Sequence, residues 1–246
     1  MTTTPKEITP HPNNARWVYL LLTVLLGLLI LWPWLHFQDW LSAGDHGRDL
    51  EAAQEVLRGK TVYRDYWWVY GPLMPYYYAI FYKIFGISIQ SILLGKFLIK
   101  LTAGILCYLA VSVSFKPLTA LMTTLWFWTF AQDFFFTYSH IGGILMVMAV
   151  IWCLMNYIRE QKASTLWQGL IFCFVLSMIK VNFGLSSLAT LMTSVFFVDR
   201  MNNVPFSSPK KLFYFLGIIA VPGAIFLIYW QLLSPLPLYE IRQCLP

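Results

Sequence analysis

The chain has 246 residues, 59% hydrophobic, 18% aromatic and 11% charged, with a net charge of +6. A soluble domain carries about 25% charged residues. At 11% there are too few charges to cover a water-facing surface, which excludes a soluble globular enzyme and a disordered chain alike.

The apolar residues come in long blocks with the charges in the gaps, the pattern of an all-α, polytopic membrane protein. Basic residues beside spans account for the net charge, and no basic–aromatic stripe points to nucleic acid. Residues 1–16 read as a cytoplasmic tail. The first span is predicted over 17–35. It is too long for a signal peptide, and Trp32-Pro33-Trp34 replaces a small-residue cleavage site, so it is read as a retained anchor. A polar loop follows at 36–73, then a short aromatic helix at 74–86 closed by Gly86. Six more spans are predicted over 89–112, 118–131, 141–158, 166–178, 183–198 and 212–233, seven in all. Residues 234–246, with Pro235 and Pro237, form a tail. Cys107, Cys153 and Cys173 lie inside apolar blocks and Cys244 outside, which is no disulfide framework.

Lys6 and Arg16, Lys116, Arg159 and Lys162, and Arg200, Lys210 and Lys211 all fall on one side if the spans alternate. By the positive-inside rule that side is the cytoplasm. The 36–73 loop, the turn from Asp133 to His140, the turn from Lys180 to Asn182 and the tail then face outward. The protein is expected in the inner or plasma membrane.

The outer loop holds Asp39, Asp45, Asp49, Glu51, Glu55 and Asp65, six of the eleven acids in the chain. Asp45 to Arg58 is predicted as a helix, with an apolar stripe of Leu50, Ala53 and Leu57 and a stop at Gly59. Asp45 and Asp49 are four apart and share one face. Trp67, Trp68, Tyr70, Tyr76, Tyr77, Tyr78, Phe81 and Tyr82 follow as an aromatic belt. Both loop helices are therefore expected at the membrane interface. The residues alone also fit a solvated acidic loop with ordinary aromatic anchors.

An Asp soon after the first span (Asp45) is followed by Ala53 to Gly59 (AQEVLRG), Tyr63-Arg64-Asp65-Tyr66, Tyr70-Gly71-Pro72-Leu73 and Phe85-Gly86. A further piece is Lys180-Val181-Asn182-Phe183-Gly184. In this order they resemble the GT-C glycosyltransferases. The similarity is to the bacterial branch related to the protein O-mannosyltransferases and the aminoarabinose lipid A transferases. It covers roughly residues 17–185. It implies transfer of a sugar from a polyprenyl-phosphate donor to a lipid, glycan or protein acceptor on the extracytoplasmic face.

On that resemblance Asp45 is the catalytic acid-base residue, with Asp49 second. Such a carboxylate can accept the acceptor's proton or hold a divalent cation against the leaving phosphate. Asp49 could instead orient Arg48, and Asp65 could be a second acid or a turn residue. Members of the family often carry an acid near the outer turn between the third and fourth spans, where Asp133 or His140 could stand. Tyr70 would belong to the site wall. No cofactor is required by the sequence, and a divalent metal is possible if Asp45, His46, Asp133 and His140 converge.

Lys96 and Lys100 are four apart inside the second span, where a charge is costly and marks function by default. They could bind a donor phosphate, or Lys96 could snorkel while Lys100 faces the protein interior. Lys180, beside an open backbone turn, suits a lipid phosphate or simply ends a helix. A non-catalytic subunit, or a transporter of an anionic lipid or solute, is the alternative class. Relatives of the resembled type have more spans, so the chain is expected to be a truncated front portion or to need a second subunit.

Overall fold

The computed structural model describes residues 13–35, 45–130, 138–205 and 207–233. The described residues are helical, apart from turns and one isolated bridge between Val62 and Tyr66. In chain order the helices are α1 (Asn13–Leu31), α2 (Asp45–Leu57), α3 (Leu73–Phe85), α4 (Ile89–Val111) and α5 (Pro117–Phe130). Then come α6 (Tyr138–Glu160), α7 (Ala163–Ile179), α8 (Val181–Met201), α9 (Ser208–Phe215) and α10 (Val221–Leu233). A 3-10 turn, Trp32–Leu35, follows α1, and a π turn, Leu216–Ala220, joins α9 to α10.

Among the described residues four stretches are long and apolar enough to cross a membrane: Ile89–Val111, Ser139–Glu160, Val181–Met201 and Pro209–Leu233. Ala15–Leu31 and Ala163–Ile179 are apolar but shorter. The protein is thus all-α with at least four membrane-length helices.

Most boundaries follow from local chemistry. The first block turns from α to 3-10 at Trp32 because Pro33 has no N–H to continue the ladder. Loop helix α2 runs from Asp45 to Leu57 and is stopped by Gly59, whose φ of +81° suits glycine. Ser88 caps α4, its hydroxyl accepting from the Ser91 N–H. The π turn precedes Pro222, whose missing N–H takes a rung from the ladder there.

The packing gives the two ends different character. Gly95 near the start of α4 lies against Tyr78 of α3, and Gly142 near the start of α6 lies against Met74 of α3, so α4 and α6 both leave the α3 end and run in the same direction. Arg16 donates to the Ser112 hydroxyl at the far end of α4 (2.9 Å). Tyr157 near the end of α6 donates to Asp199 of α8 (2.6 Å), which also accepts from Lys210 of α9 (2.6 Å). One end of the bundle therefore gathers the basic segments, and α2, α3 and the 58–72 turn cover the other.

Small residues set the close approaches. A Cβ on Gly104 would overlap the Trp128 ring, which donates to the Lys100 carbonyl (3.0 Å). Gly142 lies against Met74, and Gly184 against the backbone of Ser177. This is the helix packing through glycine that membrane interiors favour.

Candidate functional site

The link between α7 and α8 is one residue long. Lys180 is extended (φ −155°, ψ 107°), its N–H bonds back to Leu176 and its carbonyl accepts from the Gly184 N–H. Two helices can fold back on a single residue only if their backbones nearly touch. Gly184 allows this, because any side chain there would enter Ser177. The geometry aims Lys180 out of the corner at the loop-covered end.

The loop comes to meet it. The Gly71 N–H donates to the Ile179 carbonyl (2.9 Å), and a Cβ on Gly71 would overlap the Met178 carbonyl. Trp68, almost fully buried, donates its indole N–H to the Gly71 carbonyl (2.9 Å). Tyr63 donates its hydroxyl to the Tyr70 carbonyl. Pinned on both sides, Tyr70 lies 5.4 Å (ring centre) from the Lys180 ammonium and 5.3 Å from the Arg48 guanidinium.

His140, in the first turn of α6, completes the cluster. Its Nε2 lies 2.8 Å from Lys180 Nζ; an ammonium can only donate, so Nε2 accepts its hydrogen bond here. Its ring also meets Tyr70 edge-on at 5.5 Å. Phe183 closes the far side, 4.5 Å from Lys180 Nζ. Three segments separated by 40 to 110 residues thus converge on one lysine. Burial lowers the Lys180 pKa from the ordinary lysine range, because desolvation disfavours the cation. Rings and an imidazole hold that cation without neutralising it. Such a site suits an anion.

The expected residues divide as follows. Tyr70, His140 and Lys180 meet. Asp49 is buried on α2, 3.7 Å from Arg48 Nη2, and so reaches the cluster through Arg48. Asp65 does not reach it: it accepts from the Thr61 N–H (2.7 Å) and pairs with Arg64 on the loop surface. Its carboxyl is held below the usual range by the Arg64 guanidinium and then by the Thr61 N–H. Lys100 is buried and lines a separate cavity with Leu31, Phe127 and Trp128, and Lys96 lies one turn nearer the loop end.

Asp45 is the first residue of α2, one turn before Asp49, but its side chain, like that of His46, lies outside the described residues, as does Asp133. Among the described residues no three His, Cys, Asp or Glu side chains could hold a metal ion. Arg48 was foreseen only as a partner of Asp49. Tyr63 stands inside the Tyr-x-Asp-Tyr motif, and Trp68 belongs to the aromatic belt. Nothing in the sequence singled out their anchoring roles. No family model, no curated protein and no solved structure matches the chain.

Proposed function

We propose that the protein is a membrane glycosyltransferase that moves a sugar from a polyprenyl-phosphate donor to an acceptor on the extracytoplasmic face. The observation that carries this reading is the pair of cations, Arg48 and Lys180, set against one tyrosine ring beside a half-buried imidazole. Such a site matches the phosphate of a donor arriving from the membrane. In this reading α1, α4, α5, α6, α7, α8 and the α9–α10 unit make seven crossings. The basic ends are cytoplasmic, and the loop helices lie at the outer interface.

The chemistry follows from that arrangement. Lys180, with the Asp49-paired Arg48 across the Tyr70 ring, takes up the charge of the departing polyprenyl phosphate as its bond to the anomeric carbon breaks. The Asp45 carboxylate, one turn from Asp49, accepts the proton of the attacking acceptor hydroxyl. Tyr70 and His140 wall the site. Whether a divalent cation assists at Asp45 is a matter for chelation during the same assay.

Membranes containing the chain, supplied with a panel of radiolabelled polyprenyl-phosphate sugars, test this directly. Transfer by the parent and its loss in Asp45→Asn and Lys180→Met, with both variants inserted normally, is the expected result. Normal transfer by Asp45→Asn would remove Asp45 from the mechanism. A second reading, transport of an anionic lipid or solute, is favoured by one feature: buried Lys100 on the cavity between α1, α4, α5 and α6. Uptake of such a solute by vesicles holding the chain, with no transfer from any donor, would replace the first reading by the second.

A further inference from the structure

Three non-glycine residues among those described have a positive φ: Tyr63 (+69°), Gln161 (+54°) and Asn203 (+52°). Gln161 and Asn203 stand just past the ends of α6 and α8, where a left-handed residue commonly closes a helix. Tyr63 closes no helix. It lies inside the 58–72 turn, and a bulky residue is disfavoured in this backbone region. Such a conformation persists only where the surroundings impose it, and it clusters at functional sites.

The surroundings of Tyr63 are specific. It is buried at 3% exposure, its hydroxyl donates to the Tyr70 carbonyl, and its ring lies 6.1 Å from that of Tyr229 on α10. Tyr229 in turn donates to the Ser177 carbonyl (3.1 Å), three residues before Lys180. One helix therefore braces both halves of the anion site, the loop through Tyr63 and the lysine corner through Ser177. Glycine would adopt φ +69° without strain. What glycine lacks is the ring and hydroxyl that reach Tyr229 and Tyr70.

We propose that Tyr63 and Tyr229 are positioning residues of the anion site. They hold Tyr70 where it faces both Arg48 and Lys180, and so set the affinity for the phosphate of the lipid-linked donor. The assignment of the ligand rests on the function proposed above. The positioning itself does not.

The lysines of the full chain are reductively methylated with carbon-13, and the Lys180 resonance is assigned by its absence in Lys180→Arg. Ring currents of Tyr70 and Phe183 displace that resonance from those of exposed lysines. Tyr63→Phe and Tyr229→Phe each remove one hydroxyl and keep the ring. In both, the Lys180 resonance is expected to move towards the exposed-lysine position. In Trp230→Phe, a change on the exposed face of α10, it should stay in place. Tyr63→Asn tolerates the left-handed backbone but lacks the ring, and should displace the resonance further in a protein that still melts cooperatively.

In transfer assays the two Phe variants should raise the donor KM about three- to tenfold, the size of one lost hydrogen bond, with kcat within about twofold. An unmoved Lys180 resonance in both Phe variants overturns the proposal. So does a fall in kcat at constant KM. If the resonance moves and no donor is used even by the parent chain, the positioning stands and the glycosyltransferase reading falls.

Discussion

The two ends of the bundle each enclose a lysine, and they treat it differently. At the basic end Lys210 is buried and donates to Asp199 at 2.6 Å, while Tyr157 donates to the other carboxylate oxygen at 2.6 Å. The charge is cancelled where it stands. At the loop end Lys180 is half-buried against Tyr70, Phe183 and His140, and among the described residues no carboxylate pairs with it. A neutralised lysine ties α8 and α9 to α6. A lysine held by rings and an imidazole keeps its charge uncancelled. The contrast shows why a buried cation by itself does not mark a site: what matters is whether its partner is an anion.

The largest effect is expected at the closed end. Asp199→Ala leaves Lys210 buried and unpaired, and should cost about 3–5 kcal/mol of stability. Thermal melting in lipid nanodiscs reads this. The double variant Asp199→Leu with Lys210→Met removes both charges and should recover most of the loss. A cost under about 1 kcal/mol for the single change would mean that the pair is not the tie proposed, and the contrast with Lys180 would fail.

At the open end the order of effects reverses. Lys180→Met should leave melting little changed or slightly raised, since a desolvated cation is removed. Donor binding should weaken about 10- to 100-fold, the worth of a charge-assisted hydrogen bond. Loss of fold rather than of donor affinity would place Lys180 with Lys210 as a structural charge.

Gly71→Ala tests the docking that brings the loop to the corner. The added methyl meets the Met178 carbonyl, so the Gly71 N–H bond to Ile179 must stretch or break. Overpacking of this kind costs about 1–3 kcal/mol. The expected outcome is faster amide exchange of the 60–72 segment and a raised donor KM. Unchanged exchange there would mean that the loop is not anchored through Gly71.

Much of the scaffold was legible in the sequence, for local reasons. Gly59 and Gly86 end helices as expected, each a property of a few adjacent residues, whereas the first span reads through Pro33 to residue 35 but leaves the α-helix at Leu31, and the expected open turn over 180–182 is the single extended residue Lys180. The seven apolar blocks were equally plain, but only four of the described helices reach membrane length unaided. The π turn before Pro222 left no signal beyond the Pro222-Gly223 pair. The convergence of Tyr70, His140 and Lys180 was hidden for a different reason. Each comes from a separate segment, and only the fold-back of the loop onto α7 brings them together. Asp65 shows the converse: it sits in a motif of the right composition, yet its geometry spends it on Thr61 and Arg64.

The smallest expected effect separates the two ends by pH. Burial lowers the Lys180 pKa below the ordinary 10.5, so the folded chain releases this proton before the unfolded chain does. Between those two values the unfolded state binds more protons, and stability rises with pH through that window. If Lys180 binds the donor phosphate as proposed, donor affinity moves the other way, because that cation is lost in the same window. A plot of donor KM against pH should therefore turn upward on the acid side of the normal lysine range while the melting temperature climbs slightly. Arginine stays charged throughout, so Lys180→Arg should flatten both trends. If KM and melting temperature fall together as pH rises, the titrating group is not a desolvated lysine at the donor site, and the distinction between Lys180 and Lys210 loses its physical basis.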